Sequence, residues 1–115
     1  NKAQKTMKSK FALLLDYFVE DTQGYLNSIE VALKDLDYKG VQTPAHTIKS
    51  SSLQMGAKEV SELAKDLETL ARRYNEEAVN TSEAINELQS KYATLKGEFE
   101  RAKGAFSELD VKKAK

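Results

Sequence analysis

From Ile85 to Leu109 the apolar residues Ile85, Leu88, Tyr92, Leu95, Phe99, Ala102, Phe106 and Leu109 follow one another at intervals of three and four without a break. That rhythm keeps them on one side of an α-helix of about 3.6 residues per turn, so the segment carries a single narrow seam that other apolar surface must cover. The capping-box pair Asn80 and Glu83 marks its start. At ~1.5 Å per residue this helix is about 45 Å long, and its far end must project, fray or be covered by the first helix. We expect the first helix to cover it.

The rest of the chain reads the same way. It has one proline and no cysteine, is rich in Ala, Leu, Glu and Lys, and shows no alternation that calls for a strand. Phe11, Leu14, Leu15 and Phe18 predict a short helix over about 8–19. Asp21 or Thr22 can cap a second over about 22–37, with Tyr25, Leu26, Ile29, Leu33 and Leu36 as its apolar positions. Gly40 marks a break. Thr43 and Pro44 have the form of a cap and first helical residue, with a helix that begins earlier and carries Pro44 in its first turns as the alternative. This third helix runs to about Met55, where Gly56 stops it, and a fourth follows with Val60, Leu63, Ala64, Leu67, Ala71, Tyr74 and Ala78 along one face.

These segments predict an all-α fold: an antiparallel four-helix bundle over about 22–110 with a short additional N-terminal helix. The 115 residues have room for one core, so 1–115 is read as one domain. Leu26, Ile29, Leu33, Ile48, Met55, Leu63, Leu67, Ile85, Leu88 and Leu95 should fill the interior. Each stripe has an internal partner, which predicts a monomer.

Several function classes drop out on composition. Lys and Arg total 18 and so do Asp and Glu, which leaves no field to hold nucleic acid or an anionic membrane beyond the short tail Lys112, Lys113 and Lys115. Without cysteine there is no thiolate chemistry, and one histidine makes an imidazole metal site implausible, so no metal ligand is expected. The longest apolar run, Phe11 to Leu15, falls short of the ~20 residues of a membrane span. The simplest location for such a chain is the cytoplasm. There is no Gly-rich phosphate loop, so ATP-dependent self-phosphorylation is not expected either.

The informative stretch surrounds the single histidine. On a helical wheel Val41, Pro44, Ala45, Ile48, Ser52 and Met55 gather opposite His46, while Gln42, Lys49, Ser50 and Leu53 lie within about 60° of it. A lone surface histidine is usually incidental. This one has a cation one turn on, a small residue beside it and an exposed leucine beyond, on a face that an isolated bundle would make polar. A neutral imidazole has a lone pair on one nitrogen, attacks phosphorus near neutral pH and later departs easily. Lys49 can balance charge on phosphoryl oxygens, and a small residue at 50 lets a second protein reach the ring. The serines Ser50, Ser51 and Ser52 lack a second histidine, so they read as packing residues and not nucleophiles.

The run His46-Thr47-Ile48-Lys49-Ser50-Ser51-Ser52, followed by Gly56, resembles the signature of the histidine-containing phosphotransfer (HPt) family. The resemblance continues through Leu15, Phe18, Leu26, Ile29, Ala32, Leu33 and Asp37 upstream and Leu63, Leu67 and Glu68 downstream, covering roughly 11–75. It departs at Ser50, where many members have glycine, which places a hydroxyl near the phosphate. The resemblance implies a four-helix bundle and a phosphoryl group on Nε2 of His46, with receiver-domain aspartates as donor and acceptor. On that reading the chain is a phosphocarrier and not an enzyme, needs no cofactor of its own, and relies on Mg²⁺ held by the receiver.

Some chemotaxis-kinase members of the family orient the imidazole with an acidic residue at the position matching Glu68, which makes Glu68 a candidate. Glu68 with Lys65 is otherwise an ordinary surface pair. Ser50, Leu53, Gln42, Phe18 and Tyr25 are the expected partner-binding residues. Two other readings stay open: a helical adaptor or coiled-coil module in which His46 is incidental, and the phosphotransfer segment of a chemotaxis-type kinase.

Overall fold

In a computed structural model the described residues are 10–114, with side chains described through 106. They form four helices: α1 (Lys10–Lys34), α2 (Tyr38–Gln54), α3 (Lys58–Glu76) and α4 (Ser82–Ala114). Each helix packs against its chain neighbours, and α1 also packs against α4, which closes a four-helix bundle. The core runs along its axis through Leu26, Ile29, Val41, Ile48, Leu67, Leu88, Leu95 and Phe99, all essentially inaccessible to water.

The break expected at Asp21 or Thr22 does not exist. Both residues are good caps, yet the buried stripe Leu15, Phe18, Thr22, Leu26, Ile29 and Leu33 passes straight through them. Thr22 itself fills a core position, and packing along the stripe outweighs the local preference for a cap. The expected short N-terminal helix is therefore the first half of α1; its residues 8 and 9 lie outside the described residues. The stripe also differs from the expected one, since Phe11 and Leu14 are exposed and Ala12 takes the inward position.

The N-terminal half of α1 covers the distal part of α4. Phe18 meets Phe99 and Phe106 edge to face, with ring centroids 6.1 and 6.0 Å apart. The seam is covered in this way as far as Phe106, and the side chain of Leu109 lies outside the described residues. At the other end Tyr92 donates a hydrogen bond of 3.1 Å to the carbonyl of Leu26, tying α4 to α1 again.

All three connections are Schellman turns. The amides of Asp37, Ala57 and Val79 return to the carbonyls of Ala32, Ser52 and Tyr74, at 2.8, 2.8 and 3.0 Å. The left-handed residue in each is Leu36, Gly56 and Ala78, with φ of 55°, 82° and 53°. Gly56 is the stop expected from the sequence. Ala78, expected on the apolar face of α3, instead lies in this turn and is exposed. Thr81, and not Asn80, caps α4: its hydroxyl accepts from the Ala84 amide at 3.1 Å.

Seven of the ten expected interior residues are buried, whereas Met55, Leu63 and Ile85 are only partly so. Met55 is the C-cap of α2. Leu63 lines a shallow groove with Glu59, Glu62, Asp66 and Glu98, and Ala84 takes the inward position at the start of α4 that Ile85 was expected to hold. No described helix is long and apolar enough to cross a membrane.

Candidate functional site

The site is made by α2 and α3, and its geometry begins at the first turn of α2. The Asp37 side chain caps that helix by accepting from the Gly40 amide at 3.0 Å. Gly40 is thus inside the helix and not a break before it. A Cβ there would come 2.5 Å from the Asp37 carboxylate and 3.0 Å from Ala32 Cβ, so only glycine permits both the cap and the approach of α1. Pro44 lies inside α2, and the cap expected at Thr43 is replaced by Asp37.

With its start set in this way, α2 turns Val41, Pro44, Ala45, Ile48 and Ser52 into the bundle. His46, Ser50 and Leu53 face water; Leu53 is 60% exposed, as the wheel predicts. Gln42 and Lys49 are half-buried.

Small residues let α3 come close. Ala45, Ser52, Ala57, Ser61 and Ala64 are all buried, and the Ser61 hydroxyl donates to the Lys49 carbonyl at 2.8 Å. This approach brings Glu68 beneath the imidazole. Its Oε2 lies 2.9 Å from His46 Nδ1 and 2.8 Å from the Arg72 guanidinium, and its Oε1 lies 3.1 Å from Lys49 Nζ. The Glu68 side chain is only 6% exposed, while the His46 side chain is 60% exposed.

A carboxylate held so deeply needs partners, and Glu68 has three. Burial pushes its carboxyl pKa up, but hydrogen bonds from Lys49 and His46, together with their charges, outweigh that and hold it below the usual 4.5. An ionised carboxylate can only accept, so the nitrogen facing it carries the ring proton. Nδ1–H donates to Glu68, which leaves Nε2 as the nitrogen with the free lone pair on an exposed ring.

Of the residues singled out in the sequence, the structure gathers His46, Lys49 and Glu68 into one cluster. Ser50 and Leu53 lie along the His46 face of α2. Two others are elsewhere. Phe18, expected to be partly exposed, is a core residue that meets Phe99 and Phe106 edge to face, because the buried stripe of α1 claims it. Tyr25 is half-buried and packs against the core. The cations that hold Glu68 are Lys49 and Arg72 instead of the expected Lys65. Arg72 escaped the sequence reading, although its place four residues after Glu68, in the favourable order of acid before base, was the available signal. Among the described residues no group of His, Asp or Glu could hold a metal ion.

The family model for the Hpt domain matches residues 13–103, which takes in all of α2 and α3. The chain belongs to the Hpt domain family. Among solved structures it is similar to the crystal structure of histidine-containing phosphotransfer protein B (HptB) from Pseudomonas aeruginosa PAO1, with 29% identity and a TM-score of 0.57 over 90% of this chain and 89% of that one. A comparison with curated proteins finds no match. Membership in the Hpt family and this likeness support a role in phosphorelay, in which Hpt domains are phosphocarriers and not enzymes of the usual kind.

Proposed function

We propose that this Hpt domain carries a phosphoryl group on Nε2 of His46 and relays it between receiver-domain aspartates. The hydrogen bond between His46 Nδ1 and the buried Glu68 supports this most directly, because it holds the ring proton on one nitrogen and leaves the other as a nucleophile facing water.

In the forward step the Nε2 lone pair attacks the phosphorus of an aspartyl phosphate. The N–P bond forms as the P–O bond breaks, and that electron pair returns to the aspartate carboxylate. Nδ1 keeps its proton throughout, and the positive charge arising on the ring faces Glu68. In reverse an aspartate oxygen attacks phosphorus and the N–P electrons return to Nε2. His46 then leaves as a neutral imidazole with no proton to collect. Lys49 compensates charge on the phosphoryl oxygens, and a Mg²⁺ ion bound by the receiver would supply further charge neutralisation there.

Leu53 and Ser50 form the docking face, with half-buried Gln42 earlier on α2 and half-buried Tyr25 on α1 as further candidate contacts. The apolar Leu53 excludes water, and Ser50 leaves the gap through which the receiver reaches the ring. On this reading residues 1–115 act as one monomeric unit in the cytoplasm, with no nucleic-acid or membrane partner. The name of the Pseudomonas relative, a histidine-containing phosphotransfer protein, supports the same chemistry.

The test is incubation with a panel of phosphorylated receivers. The expected label is acid-labile and base-stable and is absent from a folded His46→Gln variant. Full labelling of that variant overturns the assignment.

A further inference from the structure

The carboxylate beneath the imidazole has more cations than are needed to orient a ring. His46 Nδ1 and Arg72 share one oxygen, Oε2, at 2.9 and 2.8 Å, while Lys49 takes Oε1 at 3.1 Å. Two donors on one oxygen divide its accepting capacity, and those distances put the guanidinium within about 6 Å of the imidazole.

An imidazole paired with an undivided carboxylate is pulled toward imidazolium, and an imidazolium has a proton on Nε2 and cannot attack phosphorus. Orientation and nucleophilicity therefore conflict when the carboxylate acts alone. A permanently charged guanidinium on the same oxygen opposes that pull, both by weakening the carboxylate and by repelling a second positive charge.

We propose that Arg72 is a positioning residue that acts through Oε2 of Glu68, restraining the carboxylate so that it orients His46 while the ring stays neutral and Nε2 keeps its lone pair. The benefit to transfer rests on the phosphocarrier reading; the effect on the ring does not. The charged groups brought to the cluster are Lys49 from α2 and Glu68 and Arg72 from α3. From α1, the other helix packed against α2, Glu30 turns to Tyr92 and Lys34 instead. Lys49 is on the other carboxylate oxygen, so Arg72 alone competes directly with the imidazole.

His46 is the single histidine, so ring nitrogen signals in ¹⁵N-histidine NMR report on it alone. Arg72→Gln should raise the pH midpoint of its titration by roughly half a pH unit, the effect of a charge at this distance in a largely aqueous setting. Arg72→Lys, which keeps a charge, should restore most of the wild-type midpoint. Arg72→Met, which keeps the apolar stem, serves if Arg72→Gln does not fold. A purely structural arginine would lower the melting temperature and leave the midpoint in place. A midpoint in the neutral variants equal to wild type, or lower, overturns the proposal.

A second arm uses phosphoramidate as donor and follows labelling of His46 against pH. The profile of Arg72→Gln should move to higher pH by the same interval. If wild type accepts no phosphoryl group from phosphoramidate or from any receiver, the phosphocarrier reading falls, and the NMR titration still decides the role of Arg72.

Discussion

Glu68 Oε2 lies 2.9 Å from His46 Nδ1, so a buried carboxylate on α3 fixes the orientation of an exposed ring on α2. The pKa of Glu68 in the folded state lies below the usual 4.5, because the hydrogen bonds and charges of Lys49 and His46 overcome the effect of burial. A carboxyl whose folded pKa is depressed adds stability that is complete above the unfolded value and is lost as pH falls through the folded one. Glu68→Gln should therefore be less stable than wild type near neutrality, and the gap should close as pH falls below about 4.5. Urea unfolding of both proteins across that interval checks it; a gap independent of pH sinks the linkage.

The docking face is tested at its apolar point. Leu53 is 60% exposed, so Leu53→Lys should leave stability within about 0.5 kcal/mol, as for an ordinary surface change. It should nonetheless weaken receiver binding and slow transfer. Ser50→Arg should block transfer by filling the gap beside the ring. Normal binding by Leu53→Lys, measured calorimetrically, would remove Leu53 from the interface even if His46 is still labelled.

Leu67 is fully buried on α3, one position before Glu68. Truncation to alanine leaves a cavity in the core and should cost about 2 to 5 kcal/mol in unfolding free energy. A loss below about 1 kcal/mol would mean that the bundle collapses around the gap much more readily than a close-packed core does.

Thr22 gives the opposite sign. Its hydroxyl is buried in the stripe of α1 and has no hydrogen-bond partner among the described residues. Thr22→Val replaces that hydroxyl with a methyl of similar shape and should raise stability by about 1 kcal/mol, since an unpaired buried polar group costs about 1 to 3 kcal/mol. A lower denaturation midpoint for the valine protein would show that the hydroxyl is satisfied after all.

What could be read from the sequence follows the range of the interactions involved. The outward placement of His46, Ser50 and Leu53 depends on helical spacing within one segment, and it was legible. The depth of Glu68 depends on how closely α3 approaches α2, which is set by Ala45, Ser61 and Ala64 on two separate segments. Glu68 was accordingly only a candidate, and Arg72 was missed because its importance derives from that of Glu68. Asp21 and Thr22 misled for the reverse reason: their local preference for capping is real, but a core stripe that spans them decides the outcome. Phe18 differs from its exposed neighbour Tyr17 by a single step of the helix, and edge-to-face contacts with Phe99 and Phe106 determine which ring turns inward.

The bond from Tyr92 to the Leu26 carbonyl joins residues 66 positions apart, whereas the His46–Glu68 bond spans 22. Joining remote parts of a chain carries a larger entropy loss than forming a hairpin, and contacts between near neighbours tend to form sooner. The α2–α3 hairpin should therefore be early in folding, and the α1–α4 seam late. The same ordering run backwards means that a fluctuation parting α1 from α4 can leave the imidazole on its carboxylate, so the reactive ring can outlast partial opening of the fold that surrounds it.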